Sequence, residues 1–161
     1  MMRADGPPSI GGTDEGTVAV LGNDVLDLDV PGRPDAVATV RHAVVDHLLT
    51  RGVPSTVVDD IELVTSELVT NAIIHPRPAN GGPAVHLQLS LADAIELVVA
   101  NVGSATAIPP VEDWQPAPPF ALSGRGLAIV RRLCDNVTVE QAGERAVVTC
   151  RRRLPDGGVM P

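Results

Sequence analysis

The sequence predicts an α+β protein, a two-layer α/β sandwich with its helices on one face of a mixed, mostly antiparallel sheet. Segments 34–51 and 55–75 place apolar residues at intervals of three and four, the period of an amphipathic helix. Other segments alternate apolar and polar residues between Gly-containing turns, which is typical of strands. With 161 residues, 44% of them hydrophobic, the chain is long enough for one domain with its own core.

The N-terminal segment differs in composition from the rest of the chain. Residues 1–23 are rich in Gly, Pro and Asp and lack a hydrophobic period, so we expect a flexible leader with a short strand at Val18–Leu21. The domain is predicted to span residues 24–154, beginning with a strand at Val25–Val30, and a polar tail follows at 155–161.

Two helices come next. The helix predicted over residues 34–51 has an apolar face made of Val37, Val40, Val44 and Leu48. The helix predicted over residues 55–75 has an apolar face made of Val57, Ile61, Val64, Leu68 and Ala72. Pro76 and Pro78 end the second helix, because the residue before a proline is disfavoured in helical conformation.

The remaining regular elements are four strands and one helix. The strands are expected at residues 84–91, 95–102, 136–141 and 145–153, and each adjacent pair is joined by a short turn. The helix opens at Gly124-Arg125-Gly126 and continues to Leu133. The element order is therefore β, α, α, β, β, long loop, α, β, β.

The long loop, residues 104–123, contains five prolines together with Trp114 and Phe120. A connection of this length is unusual in a compact domain and is typical of lids and binding loops. We therefore predict a lid over this segment.

Composition excludes several classes of function. All 12 basic residues are Arg, so the chain has no Lys for a Walker A loop or a Schiff base. A net charge of −8 argues against direct nucleic-acid binding, which needs a basic surface. No apolar run reaches the roughly 18–20 residues of a membrane span, and no secretory signal is visible. A cytoplasmic protein is expected.

The histidines and cysteines do not form a metal-ligand spacing. His42 and His47 are expected on the surface of the first helix. Cys134 and Cys150 have apolar neighbours and are expected as buried thiols.

Three segments carry residues suited to phosphate chemistry. Glu67 and Asn71 are four residues apart on the second helix, so their side chains leave the same face. Asn101-Val102-Gly103 stands where a strand ends and the lid begins. Gly124-Arg125-Gly126-Leu127 opens a helix, where glycines allow close approach and the helix N-terminus favours anions. Each pattern alone is weak.

At this order and spacing the three segments resemble the GHKL ATPases, which have the Bergerat fold or histidine kinase-like ATPase domain. The chain is most similar to the bacterial anti-sigma factors that are also serine/threonine protein kinases. The similarity covers roughly residues 25–153. ELVTSELVTNAIIH resembles the family's N box, ELVVANVGS its G1 box and SGRGLAIVRRLCD its G2 box.

The resemblance implies a role for each residue on the phosphate side of an ATP site. Asn71 would hold Mg²⁺, Glu67 would be the catalytic general base, and Thr70 would line the same pocket. Gly124 and Gly126 would present backbone N–H groups to the phosphates.

Two neighbours in the G2 box are assigned to the same pocket. Arg125 would offer a guanidinium to a phosphate, and a solvated arginine is an equally open interpretation. Leu127 follows in the first turn of the helix. Residues 104–123 would be the ATP lid.

On the base side the chain departs from the family pattern. Asn101 stands where the family has an Asp that accepts a hydrogen bond from the adenine amino group, and Gly103 would let the base lie against the backbone. An amide oxygen still accepts that bond but lacks the charge that makes it stronger. Ala146 stands in the hairpin where the family often has Thr.

The resemblance implies an ATP-binding anti-sigma factor that uses Mg-ATP to phosphorylate an anti-anti-sigma protein of the STAS type on Ser or Thr. Its partners would be that protein and a sigma factor, and the chain would form a homodimer. The alternative is a non-catalytic module that sequesters a sigma factor or another protein with weakened or absent nucleotide binding. A sensor histidine kinase is less favoured, because no phosphoacceptor helix or membrane segment is seen before the domain.

Overall fold

A computed structural model describes residues 18–21, 24–74, 85–103, 105–116 and 125–156. Six strands form one sheet in the order β1-β2-β3-β4-β6-β5. Their bounds are Val18–Leu21, Val25–Val30, Val85–Leu91, Ala94–Val102, Asn136–Ala142 and Arg145–Arg153, for β1 to β6 in turn. Every strand pair is antiparallel, so the predicted mixed character is wrong for the part of the sheet that the structure describes.

In the described part of the chain three α-helices pack against one another: α1 (Ala36–Leu49), α2 (Ser55–Ile74) and α3 (Arg125–Leu133). α1 contacts β2, α2 contacts β3 and β4, and α3 lies on α2. The predicted two-layer α+β architecture is thus confirmed, and each predicted helix and strand is present within about two residues of its expected bounds.

Residue alternation in the strands explains why one face of the sheet is covered. In β2 and β3 every second residue is buried under the helices, namely Leu26, Leu28, Val30, Val85, Leu87, Leu89 and Leu91. The residues between them point the other way and are polar. His86 lies there with its ring nitrogens 2.8 Å from a carboxylate oxygen of Asp27 and of Asp29. The register is therefore fixed by burial on one face.

The helices present the apolar stripes that their sequences predict. Val40, Val44 and Leu48 of α1 are buried, and so are all five predicted stripe residues of α2, namely Val57, Ile61, Val64, Leu68 and Ala72. Among the described helices, none is both long and apolar enough to cross a bilayer.

His47 corrects one expectation. His42 is exposed as predicted, but His47 is buried, with 4% of its surface exposed. After α1 the chain turns back on the end of the helix, where Val53 is buried and its N–H donates to Leu48 O at 3.2 Å. Burial of His47 lowers its pKa to about 4, with the Arg51 charge adding to this effect and Asp24 opposing it.

Candidate functional site

The phosphate side of the candidate site is built on the C-terminal half of α2. Glu67 and Asn71 lie one helical turn apart and are both half-buried, while Thr70 is exposed. Leu68 and Val69, which stand between them in the sequence, and Ala72, which follows Asn71, are buried in the core. The core contacts therefore fix the rotation of α2 and leave a narrow polar edge on which Glu67 and Asn71 stand side by side.

The first turn of α3 lies directly against Glu67. A Cβ atom built on Gly126 would stand 3.0 Å from Cδ of Glu67 and would overlap its carboxylate oxygen Oε2. Real side chains do not tolerate such an approach, so any residue other than glycine would push the Glu67 carboxylate away. The structure thus brings together Glu67 and Gly126, which are 59 positions apart in the sequence.

The same helix start offers backbone donors. The first turn of a helix has N–H groups without intrahelical partners, and its dipole favours anions. Gly126 and Leu127 are half-buried there, and Leu127 packs partly on the core. Gly124 and the side chain of Arg125 lie outside the described residues, so their predicted roles stay predictions.

The base side of the site is formed by the end of β4. Asn101 pairs across the sheet with Val85 of β3 and Ala146 of β6, on the face that the helices cover. It is buried, with 8% of its surface exposed. Among the residues that the structure describes, none forms a hydrogen bond with its amide group. Ala146, the neighbour of Asn101 on β6, is 1% exposed and has no hydroxyl group.

Gly103 follows β4 and is held by the β5–β6 hairpin. Its N–H donates to Glu144 O at 2.9 Å, and its carbonyl accepts from Nε2 of Gln141 at 3.1 Å. Its φ of +156° is rarely adopted by residues with a side chain. The strand end that would face the base is therefore fixed by hydrogen bonds from a different part of the chain.

Gln141 makes three hydrogen bonds at this end of the sheet and was not singled out from the sequence. Besides the bond to Gly103, its Nε2 donates to Gly143 O at 2.9 Å and its Oε1 accepts from Ala105 N at 2.6 Å. Gln141 pairs with Ala146 in the sheet and so stands two strands from Asn101. It ties the start of the predicted lid to the hairpin turn.

The first part of the predicted lid packs on the sheet. Two short 3₁₀ helices, Ala105–Ala107 and Val111–Asp113, contact β5. Ile108 and Trp114 are buried, and Nε1 of Trp114 donates to Pro109 O at 2.8 Å. Ser104 and residues 117–123 of the predicted lid, including Phe120, lie outside the described residues.

The donors on α2 are compatible with Mg²⁺. Asn71 provides an amide oxygen, a hard ligand that this ion accepts, and the Glu67 carboxylate one turn away places a further oxygen donor group beside it. Within the described ranges no group of three or more His, Cys, Asp or Glu residues forms a metal cage. A site of this kind fits an ion that also takes ligands from phosphates and water.

The fold and the site together define a class of protein. It is an α+β domain in which Gly126, at the start of α3, contacts the carboxylate of Glu67 on α2, and in which the strand β4 is followed by Gly103. Residues 30–152 match the model of the histidine kinase-like ATPase domain family. The chain belongs to this family. It is a family of ATPase domains, which identifies ATP as the nucleotide of this fold.

Solved structures agree with this fold. A structure of the RsbU and RsbW domains of Rv1364c from Mycobacterium tuberculosis matches with a TM-score of 0.64 and 19% identity, covering 85% of this chain and 34% of that one. The chain thus spans about a third of that structure's length. The SiaB–SiaC complex from Pseudomonas aeruginosa matches with a TM-score of 0.53 and 16% identity, covering 79% of this chain and 87% of that one. No curated protein matches the chain.

Proposed function

We propose that the protein is an ATP-binding anti-sigma factor and a serine/threonine protein kinase. It transfers the γ-phosphoryl group of Mg-ATP to a hydroxyl of a small anti-anti-sigma protein of the STAS type. It also sequesters a sigma factor, and it acts in the cytoplasm as a homodimer. The observation that supports this proposal best is the contact between Glu67 and the glycine at the start of α3.

That contact places the Glu67 carboxylate beside the backbone N–H groups at the start of α3, which can donate hydrogen bonds to phosphate oxygens. Phosphoryl transfer depends mainly on positioning and on neutralising charge, so a base fixed next to the helix start is well placed. Core residues on either side of Glu67 hold α2 in register, and α3 packs on α2. The two elements form one rigid support for the reacting atoms.

In the proposed reaction, the substrate hydroxyl oxygen forms a bond to the γ-phosphorus as the bond from that phosphorus to the β–γ bridging oxygen breaks. The hydroxyl proton moves to the carboxylate of Glu67, and ADP leaves with the electron pair of the broken bond. Backbone N–H groups at the start of α3 hold the phosphate oxygens. Thr70, which is exposed beside this edge, would line the same pocket.

Asn71 would hold Mg²⁺ through its amide oxygen. The ion supplies neutralisation of the charge that builds up on the phosphate oxygens. The chain has no lysine that could neutralise the phosphates. The positively charged side chain next in sequence to the proposed phosphate-binding glycines is that of Arg125 in the G2 box.

A protein partner is favoured by charge and by the similar structures. The net charge of −8 suits contacts with proteins rather than with nucleic acid. One similar structure contains an RsbU domain beside its RsbW domain, and the other is a complex of SiaB with SiaC. Each of these structures therefore contains a second domain or protein.

The direct test is a transfer assay. The full chain is incubated with γ-labelled ATP, Mg²⁺ and STAS-type proteins from the source genome, and the labelled residue is identified by mass spectrometry. We expect label on a serine or threonine of one such protein. Label on a histidine, or none on any protein at saturating nucleotide, would contradict the kinase proposal.

A non-catalytic binding module is the second candidate, and the base side favours it. Asn101 is a buried neutral amide, and Ala146 opposite it has no hydroxyl. Both features weaken recognition of adenine. Calorimetric titration with Mg-ATP separates the two candidates, because the absence of heat at millimolar nucleotide would favour the binding module.

A further inference from the structure

The exposed side of α2 carries two large apolar residues. Among the residues that the structure describes, the exposed large hydrophobic side chains are those of Leu49, Leu63 and Ile74. Leu63 is 42% exposed and Ile74 is 76% exposed, and both belong to α2. A single exposed apolar side chain is ordinary in a folded protein, so it is the arrangement of these two that carries information.

The two residues lie on one face of α2, and the proposed general base lies between them. Glu67 follows Leu63 by four residues and precedes Ile74 by seven, which are the spacings of a single helix face. Thr70, which is also exposed, stands between Glu67 and Ile74 on that face. The opposite side of the helix is the buried stripe. We call the row of Leu63, Glu67, Thr70 and Ile74 the outer face of α2.

The outer face carries no charge apart from the base itself. From Leu63 to Ile74, Glu67 is the only charged residue. Ser66, which stands beside the row, is half-buried, and its hydroxyl already donates to Glu62 O at 3.0 Å. The Glu67 carboxylate is therefore flanked along the helix by apolar side chains and a threonine, a surface that suits an apolar patch on another protein.

We propose that the outer face of α2 is the docking surface for the protein substrate, and that Leu63 and Ile74 bind an apolar patch beside the hydroxyl that is phosphorylated. This inference rests on the proposed kinase function. A hydroxyl that gives its proton to Glu67 must come within hydrogen-bond distance of that carboxylate. One side of Glu67 is occupied by α3 at Gly126. The substrate therefore approaches over the face on which Leu63 and Ile74 stand.

The size and position of this surface favour a substrate over a permanent partner. Obligate dimers bury large apolar interfaces, whereas transient encounters use small ones. Two partly exposed side chains provide a small contact, which suits a protein that leaves after each transfer. A second copy of the chain bound permanently at this face would cover the Glu67 carboxylate and keep the substrate hydroxyl away from it.

The test measures phosphate transfer by the full chain at varied concentrations of its STAS-type substrate and of ATP. Leu63→Gln and Ile74→Gln place side chains of similar size, suited to a helix, where the apolar surface was. KM for the protein substrate should rise about fivefold for Leu63→Gln and about tenfold for Ile74→Gln, in the order of their exposed areas. The values of kcat and of KM for ATP should not change.

Leu49→Gln is the matched control. Leu49 is 49% exposed, a fraction close to that of Leu63, but it is the last residue of α1 and does not belong to the outer face of α2. Its variant should have the wild-type KM for the protein substrate. An equal rise in KM for all three variants would show a general effect of surface polarity and would overturn the proposal.

Other results would also overturn it. One is an unchanged KM for the protein substrate in the double variant Leu63→Gln/Ile74→Gln while the wild type transfers phosphate; the proposed function would then stand without this docking surface. Another is loss of homodimerisation or of sigma-factor binding in the double variant at an unchanged KM, because a different partner would then cover the face. A wild type that transfers phosphate to no STAS-type protein would refute the proposed function, and this inference with it.

Discussion

The two halves of the candidate site are built differently. On the phosphate side, a charged side chain of α2 touches the backbone of α3, and Gly126 leaves room for the carboxylate of Glu67. On the base side, the corresponding position is a buried neutral amide, Asn101, beside the methyl group of Ala146. Under the proposed function, the phosphate side carries the carboxylate that transfer would need, whereas the base side has neither a charge nor a hydroxyl.

This difference predicts that the rate of phosphate transfer and the affinity for nucleotide depend on different halves of the site. Removing a charge from the base pocket weakens binding of the nucleotide in its ground and transition states alike. It leaves the position of the general base unchanged. We therefore expect a protein that transfers phosphate at an ordinary rate once nucleotide is bound, but that binds nucleotide weakly.

The largest expected effect is on the phosphate side. Glu67→Gln keeps the shape of the side chain beside Gly126 but removes the base, so transfer should fall by about 10²–10⁴-fold while nucleotide affinity changes little. Single-turnover assays with labelled ATP and calorimetry measure the two quantities. Glu62→Gln, a change on the same helix that removes a half-buried ion pair with Arg41, is the control. Equal rates for the Glu67 variant and wild type would remove Glu67 from catalysis.

A smaller effect is expected on the base side from Asn101→Asp. A charge-assisted hydrogen bond exceeds a neutral one by about 1 kcal/mol, which corresponds to roughly fivefold in affinity. Affinity for ATP should rise by that factor relative to GTP, and the maximal transfer rate should not change. Asn136→Asp, at an exposed position in β5, serves as the matched control. An unchanged preference for ATP would show that Asn101 does not meet the base.

Removing the hydrogen bonds of Gln141 tests the base side indirectly. Gln141→Ala frees Gly103, Gly143 and Ala105 from their shared partner, so the strand end should lose order. We expect nucleotide affinity to fall about fivefold, or about 1 kcal/mol, at an unchanged maximal rate. Gln115→Ala, which breaks one exposed bond to Glu112 O, is the control. A change in maximal rate alone would place Gln141 with the phosphate side instead.

The smallest effect on transfer is expected from His47, which the structure places in α1, away from both halves. Its pKa is lowered to about 4 in the fold from 6.5, chiefly by burial. As pH falls from about 6.5 toward 4, the unfolded chain gains a proton that the folded chain does not. Stability is therefore retained above pH 6.5 and decreases below it, by up to about 3 kcal/mol.

Urea unfolding at pH 7 and near pH 4.5 measures this effect. His47→Leu should lose less stability on acidification than wild type, since neither ring nitrogen has a hydrogen-bond partner among the described residues and the leucine cannot titrate. His42→Leu, on the exposed side of the same helix, should behave as wild type. Identical acid sensitivity in all three proteins would contradict the assigned role of His47.

Much of the fold could be predicted because local patterns agree with the tertiary structure. The apolar stripe of α2, from Val57 to Ala72, is continuous over about four turns and is buried as predicted. After the Gly143 turn, β6 alternates half-buried and buried residues from Arg145 to Cys150, and it pairs with β5 as expected. In such elements burial and propensity favour the same conformation, so the sequence alone is informative.

What could not be predicted depends on contacts between distant segments. Gln141 looks like an ordinary polar residue near a strand end, and only the register of β4, β5 and β6 brings it to Gly103. His47 lies seven residues after Val40, on the buried face of α1, but a polar residue at that spacing did not identify itself as part of the apolar stripe. The motifs suggested that Glu67 and Gly126 share a site, but their direct contact is visible only in the structure.

The most direct test of the account is a double-mutant cycle on Glu67 and Gly126, measured as the single-turnover rate of phosphate transfer. Gly126→Ala should displace the Glu67 carboxylate and slow transfer by about 10²-fold, with little loss of stability, because the displaced group is the end of a flexible side chain. In a Glu67→Ala background the same glycine substitution should have almost no further effect. If Gly126→Ala instead slowed transfer by the same factor in both backgrounds, the two residues would act independently, and the contact between α2 and α3 would not be the basis of catalysis.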